Sequence, residues 1–449
     1  MTHNRATSRT TRLLAASPGW VFSAWAITAA FSAYFCMYAF RKPFGAARYD
    51  GLSLWGTDIE LKTAFVVSQI VGYALSKFIG IKVCSEVTRG WRFWMLVGFV
   101  AFAQASLVLF ALLPPNLKVA AMLLNGLPLG MIWGLVVRYL EGRRTSELLL
   151  AGLSCSFILA SGVVKDVGRW LVSEVAVGEF WMPAVTGFVF LLPYLLAVWM
   201  LNQLPAPSQA DEHARTVREP MDDLHRWAFL RHFLPGLVIL FSAYFFLTAY
   251  RDFRDNFGVD IFAELAMGDD HLGLFFRSEV WVAFGVLVPL AMLFLIRNNR
   301  LGLMAAFAIM LTGAAMMGVA VTLFDAGRID GLTLMILTGL GSYLAYVPYG
   351  SVLFDRLIAS TRVVGTAVFA IYVADFVGYS GAISVMLFKD LVAGETSRLD
   401  FFRHLTYFMS ALGFVGIGAS AGYFLWRTRL RRAAIQPQTA KEIPALGGG

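Results

Sequence analysis

Apolar runs of about twenty residues, the length a helix needs to cross a bilayer core of ~30 Å, follow one another along almost the whole chain. Twelve are readable, at approximately 19–41, 61–83, 92–113, 117–140, 147–170, 180–203, 231–252, 272–296, 301–324, 330–353, 362–387 and 404–426. Lipid offers no partner to a backbone amide, whereas a helix satisfies its own, so each run is predicted to be a transmembrane helix. Strands of a membrane β-barrel would instead alternate apolar and polar residues over about 10 positions. One polar connection is long: PAPSQADEHARTVREPMDDLHRW, residues 205–227. It has no apolar periodicity and divides the runs six and six. The expected organisation is a cytoplasmic amino-terminal tail (1–18), a six-helix bundle (19–203), a cytoplasmic central loop (204–228), a second six-helix bundle (229–427) and a cytoplasmic carboxy-terminal tail (428–449). The central loop is expected to hold a short surface helix near MDDLHRW.

Composition agrees with a lipid-solvated chain. It is 58% apolar and 15% charged, with a mean hydropathy of +0.67, against roughly 25% charged residues in a soluble domain. The basic amino end precedes a long apolar stretch, as a signal peptide would. That stretch exceeds the usual signal core of about 7–15 residues and runs into Arg41-Lys42 without a convincing cleavage site. It is therefore read as an uncleaved first span.

Basic residues gather on one side of the alternating loops, among them Arg9, Arg12, Arg89, Arg92, Arg138, Arg297, Arg300 and Arg356. By the positive-inside rule this side is cytoplasmic and both termini lie there. Acids collect on the other side, where Asp252, Asp255, Asp260 and Glu264 follow the seventh run. The net charge of +8 thus reflects membrane orientation, and no nucleic-acid partner is expected. Cys36, Cys84 and Cys155 have no metal-ligand spacing or disulfide framework, so no metal or cofactor is expected.

The two halves repeat. FSAYFCMYAFR at 31–41 and FSAYFFLTAYR at 241–251 are identical at seven of eleven positions, and Arg41 falls in register with Arg251. GMIWGLVVRYLEG in the fourth run loosely echoes AYVPYGSVLFDRL in the tenth, with Gly134 opposite Gly350. Two six-helix halves in the same orientation are parallel repeats about an axis along the membrane normal. The fold class is accordingly an all-α membrane protein of 12 transmembrane helices in two pseudo-symmetric six-helix bundles. This resembles the major facilitator superfamily, in which substrate sits at the interface of the halves. The loop signature of that superfamily between the second and third helices survives here only as Gly80, Glu86, Arg89 and Arg92.

Charge within a bilayer costs about 2.5–3.5 kcal/mol per group on insertion scales, so it is usually functional or paired. On a helix Tyr34, Tyr38 and Arg41 share a face, and Tyr244, Thr248 and Arg251 repeat it. Lipid anchoring alone would not require an aromatic face before the arginine in both halves. Lys77 lies inside the second run, one turn after Tyr73. Two arginines and a lysine suit a compact anion, because guanidinium binds phosphate or carboxylate through two parallel hydrogen bonds and lysine acts as a point charge. Asp375, in the eleventh run, is either a structural partner for Lys77 or a proton-coupling group. Asn125, Trp133, Ser154, Ser156, Tyr343, Tyr346 and Tyr349 are candidates for lining a cavity or for packing helices. Lys165 and Asp166 are expected near the outer end of the fifth run, paired with each other. Arg277 and Glu279 are expected at the outer interface.

The string Y-x-x-R-K-x-F (Tyr38, Arg41, Lys42, Phe44) resembles the first helix of the organophosphate–phosphate antiporters, the glycerol-phosphate and hexose-phosphate exchangers. Y-x-x-S-K-F (Tyr73, Ser76, Lys77, Phe78) resembles their second helix, and Arg251 stands where their seventh carries the symmetry-related arginine. The resemblance implies that Arg41 and Arg251 clamp a phosphoryl group, assisted by Lys77, with Tyr34, Tyr38, Tyr73 and Tyr244 around them. The histidine of that family's fifth helix is absent from AGLSCSFILASGVVKDVG. The leading expectation is therefore a monomeric plasma-membrane carrier (inner membrane in a Gram-negative cell) that exchanges a small organic anion by alternating access. The alternatives are a proton-coupled symporter of a carboxylate or other solute that uses Asp375, and a non-transporting anion sensor of the same fold. No enzymatic constellation is present in the sequence.

Overall fold

The computed structural model describes residues 8–140, 146–206, 223–265, 273–361 and 367–439. Helices overlie all twelve apolar runs. A short helix, Arg9–Ala16 (α1), precedes Gly19–Met37 (α2), Leu61–Glu86 (α3), Arg89–Leu112 (α4), Lys118–Leu140 (α5), Ser146–Ser173 (α6) and Met182–Asn202 (α7). Asp223–Asn256 (α8), the short Gly258–Glu264 (α9), Leu274–Phe294 (α10) and Asn299–Asp325 (α11) follow. Next come Gly331–Pro348 (α12), a π-helical turn at Tyr349–Leu353, Phe354–Thr361 (α13), Ala367–Leu391 (α14) and Arg398–Thr439 (α15).

Among the described residues, ten helical stretches are long and apolar enough to cross a membrane. The helices over the fifth and eleventh runs, α6 and α14, are 28 and 25 residues long and carry charge within their length. Large apolar side chains stand on the outside, with Leu192 76%, Leu295 79% and Val415 70% exposed. Removing such surface from water is worth roughly 25 cal/mol per Å², which a lipid solvent supplies without a protein partner.

Helix α8 is described from Asp223 and runs unbroken into the seventh span, so the DLHRW part of MDDLHRW lies on that helix. Residues 207–222 of the central loop, and the side chains of Ser154 and Cys155, lie outside the described residues.

Contacts group the described residues into two compact units. The first draws on Met1–Val217, Asp252–Leu287 and Ala382–Phe402; the second on Arg218–Arg251, Val288–Gly381 and Arg403–Gly449. The first unit therefore contains the amino-terminal helices together with the acid-rich end of α8, all of α9, the start of α10 and the α14–α15 turn.

Within that unit α3 and α5 cross closely. A Cβ on Gly130 would lie 2.7 Å from the Tyr73 carbonyl and 2.8 Å from Ser76 Cβ, and one on Gly126 would lie 2.9 Å from the Tyr73 nitrogen. Only hydrogen fits at these points, as at other small-residue helix crossings in membranes. The crossing fixes the height of Tyr73.

Candidate functional site

In the first unit the site begins where α2 ends. The helix tightens to a 3₁₀ turn at Tyr38–Phe40, and Pro43 opens a second one at Pro43–Ala46. Proline has no N–H for the carbonyl three residues behind it, so that of Phe40 needs another donor, and that of Arg41 likewise lies beyond the end of α2. Two buried amides supply them. Gln69 Nε2 donates to the Arg41 carbonyl at 2.8 Å and to Asn125 Oδ1 at 2.7 Å. Asn125 Nδ2 donates to the carbonyls of Phe40 at 3.0 Å and Ala103 at 3.1 Å. Asn125 thus acts as a backbone clamp. Gln69 escaped the sequence reading, although Gln69, Tyr73 and Lys77 are spaced i, i+4, i+8 on one helical face.

This clamp presents Arg41, whose side chain is buried. Its guanidinium carbon lies 3.9 Å from the centre of the Tyr73 ring and 5.8 Å from that of Tyr38. Lys77 Nζ lies 5.7 Å from the centre of the same Tyr73 ring. One phenol therefore gathers both cations. Tyr34 closes the aromatic wall, 5.7 Å from Tyr38 and 5.0 Å from Trp133 between ring centres. Arg41, Lys77, Tyr34, Tyr38 and Tyr73 come together as the repeat and the helical spacing anticipate, and Trp133 joins them.

The second unit builds a related set on α8. Arg251 lies 4.0 Å over the centre of the Tyr346 ring. Tyr244 stacks on Tyr346 at 5.3 Å and meets Tyr349 at 4.5 Å. The Tyr34–Trp133 and Tyr244–Tyr349 pairs occupy matching places in the two sequence repeats, so the repeat extends to side-chain contacts. The two sets differ in their backbone. Helix α8 continues through Arg251 to Asn256 without a break, and the ring beneath Arg251 comes from α12 rather than from the second helix of its half. Tyr349 starts the π-helical turn behind Pro348 and donates to the Leu240 carbonyl at 3.0 Å. Asp375 Oδ1 accepts a hydrogen bond from Tyr244 Oη at 3.0 Å.

A cluster of ion pairs that the sequence did not reveal lies at the end of the first unit assigned to the outside by the charge count. The Asp255 carboxylate lies 2.6 Å from Lys42 Nζ and 2.6 Å from Lys165 Nζ, and Ser161 donates to it as well. Lys42 also donates to Asn256 Oδ1 at 3.1 Å. Burial pushes the Lys42 ammonium below the ordinary lysine value, and Asp255 opposes that push. Lys62 meets Asp260 at 2.6 Å, Arg254 meets Glu279 at 2.9 Å, and Arg398 meets Glu60.

Two expectations are corrected by this cluster. Lys165 pairs with Asp255 rather than with its neighbour Asp166, which instead caps the start of α10. Its carboxylate accepts from the backbone N–H groups of Phe276 at 2.7 Å and Phe275 at 3.3 Å, where a helix amino terminus favours negative charge. Glu279 is buried against Arg254 rather than set at an exposed interface; Arg277 is exposed.

A family model described as a family of unknown function (DUF5690) matches residues 43–427. The chain belongs to that family. The matched region of this DUF5690 chain takes in Lys77, Arg251, Asp375 and the ion-pair cluster and begins just after Arg41. No curated protein matches it by sequence. Its structure resembles that of a D-xylose-proton symporter, with a TM-score of 0.60 and 13% identity, covering 91% of this chain and 98% of that one. It also resembles the nucleoside transporter NupG (TM-score 0.57, 14% identity, 90% and 98% covered). A bacterial homologue of the human peptide transporters PepT1 and PepT2 is similar as well (TM-score 0.60, 12% identity, 91% and 99% covered). At these identities the likeness establishes the fold. The DUF5690 chain has the major facilitator fold, which in these three structures serves transport rather than catalysis.

The clamp around Arg41 gives a first expected result. Asn125→Leu leaves the Phe40 and Ala103 carbonyls without that donor, at about 1–3 kcal/mol for each buried group left unsatisfied. The purified variant should unfold at a lower temperature than the parent by scanning fluorimetry. Restoring Asn125 should recover the difference.

Proposed function

We propose that this protein is a secondary active transporter that moves a small organic anion, a phosphate ester or phosphate, across the plasma membrane by alternating access. One observation carries the reading: in each sequence repeat an arginine guanidinium sits over a tyrosine ring, Arg41 over Tyr73 and Arg251 over Tyr346. A guanidinium carries its N–H donors in a planar fork that matches a phosphate or carboxylate edge, and a tyrosine ring beneath it helps to hold it in place. Lys77, on the same ring as Arg41, adds a point charge. The transporter fold supports the reading, as does the resemblance of Tyr38, Arg41, Lys42 and Phe44 to the organophosphate antiporters.

Anion occupancy offsets repulsion among these cations, so a loaded carrier crosses more readily than an empty one and exchange is the favoured mode. The protein is taken as a monomer with both termini cytoplasmic, which in a Gram-negative cell places it in the inner membrane. The test is exchange in proteoliposomes loaded with unlabelled phosphate and supplied with labelled phosphate or glycerol 3-phosphate. Entry of label that requires internal anion supports the reading. Entry of sugars or nucleosides without entry of any anion would overturn it.

A further inference from the structure

We propose that helix α1 and the start of α4 form a docking surface for anionic phospholipid, in the leaflet at the end that the charge count assigns to the cytoplasm. The inference rests on the membrane-spanning fold and is independent of what the protein carries.

Helix α1 is not the first turn of the span that follows it. Ser17 and Pro18 have ψ of 156° and 146°, far from helical, so the chain bends between α1 and α2. The Ser17 hydroxyl donates to the Leu14 carbonyl at 2.8 Å and closes the end of α1. The helix is held instead by the residue just past α7. Ser8 and Thr11 both donate to Gln203 Oε1, Thr11 at 3.3 Å, and Leu14 is buried. Thr11 and Leu14, spaced i, i+3, thus mark the side that faces the protein. Arg9, Arg12, Leu13 and Ala16, spaced i, i+3, i+4 and i+7, form the opposite face. All four are exposed, Leu13 at 64%.

The same end of α7 receives the start of α4, where Arg89 donates to the carbonyl of Leu204. Arg89 and Trp91 are exposed there, and Trp20, in the first turn of α2, is 75% exposed. No Asp or Glu precedes Asp50 in the sequence, so no acid from α1 or α2 offsets Arg9 and Arg12. Cations and bare apolar side chains on one surface fit the headgroup boundary of a bilayer. It offers phosphate to the guanidiniums and hydrocarbon to Leu13 and the indoles. A dissolved anion would satisfy the arginines alone. Arginine suits a lipid phosphate because its planar fork takes two oxygens while its stem lies along apolar surface. One leucine and two indoles bury too little area to choose among lipids, so the choice falls to charge and favours anionic headgroups. Each arginine near such a surface is worth about fivefold in binding.

The full-length protein tests this in vesicles of phosphatidylcholine with and without phosphatidylglycerol. Ala16→Cys, in a background without Cys36, Cys84 and Cys155, carries a fluorophore that is quenched by brominated lipid chains. Quenching should rise when phosphatidylglycerol is present and fall back in high salt, which screens the attraction. Arg9→Gln combined with Arg12→Gln should lower the bound-to-free ratio of the label about twentyfold in the mixed vesicles. Arg9→Lys combined with Arg12→Lys keeps the charge and should keep most of the response, which separates lost charge from misfolding. Inorganic phosphate or glycerol 3-phosphate added to phosphatidylcholine vesicles should leave the label unmoved. Equal quenching in the two kinds of vesicle overturns the proposal, as does a parental response in the glutamine variant or its loss in the lysine variant. A response to dissolved phosphate as large as that to phosphatidylglycerol overturns it too, since the surface would then be a site for soluble anions.

Discussion

Replacing Arg41 or Arg251 with lysine is expected, on the proposed function, to lower anion exchange by one to two orders of magnitude at substrate concentrations below saturation. Lysine keeps the positive charge and loses two other properties. It has no planar fork to hold two anion oxygens at once, and its compact ammonium cannot stack on an aromatic face as a guanidinium can; the guanidinium carbons lie 3.9 Å over Tyr73 and 4.0 Å over Tyr346. A hydrogen bond to a charged group is worth about 1.5–3 kcal/mol, and each 1.4 kcal/mol is about tenfold in binding. The loss should appear mainly in KM. Labelled-phosphate exchange measures it, and Tyr73→Leu adds a second arm. That ring serves both Arg41 and Lys77, so its removal should cost at least as much as Arg41→Lys. If both arginine variants and the Tyr73 variant exchange anion at the parental rate, the arginine–tyrosine site does not bind substrate.

Much of this site was legible before any coordinates, for a reason tied to the solvent. In a chain that is only 15% charged, a cation inside an apolar run is conspicuous. A repeated helix that places Arg41 and Arg251 in register makes it more so. Helical spacing put Tyr34 and Tyr38 beside Arg41, and the structure keeps them there even though the last turn narrows to 3₁₀. What the sequence hid is of two kinds. Gln69 is polar but uncharged, so it did not stand out among its apolar neighbours, although its spacing from Tyr73 and Lys77 was plain.

Ion pairs between distant segments were hidden more deeply. Lys165 and Asp166 are adjacent, and adjacency suggested a pair. Consecutive residues on a helix do not face each other, so that pairing was geometrically poor from the start. The actual partner, Asp255, lies 90 positions away in sequence, and nothing in local periodicity points to it. Glu279 was misplaced for the same reason: its burial depends on Arg254, which arrives from another helix.

That hidden carboxylate gives the second large effect. Asp255→Ala removes the carboxylate that pairs with both Lys42 and Lys165, whose side chains are 7% and 3% exposed. Breaking a buried ion pair from one side costs about 3–5 kcal/mol, because the remaining charge stays buried without compensation. Here one deletion takes the paired carboxylate from two ammonium groups. In an alternating-access carrier this end must open during the cycle, and water would then reach both lysines. The variant is therefore expected to favour the open arrangement of this end by more than about a hundredfold over the parent.

A single cysteine at Asn256, in a background without Cys36, Cys84 and Cys155, reports the shift through its labelling rate with a membrane-impermeant maleimide. Labelling should rise sharply in Asp255→Ala. It should fall back in Asp255→Ala combined with Lys42→Met and Lys165→Met, where no ammonium is left stranded. General unfolding would raise labelling without that rescue. The Asp325–Arg403 pair supplies the contrast, since its side chains are 27% and 33% exposed. A pair so open to water contributes about 0–1 kcal/mol, so Asp325→Ala should leave the labelling rate where it was. Equal rates in Asp255→Ala and the parent would mean that the two lysines are held by their surroundings without Asp255, and that this cluster does not keep the end closed.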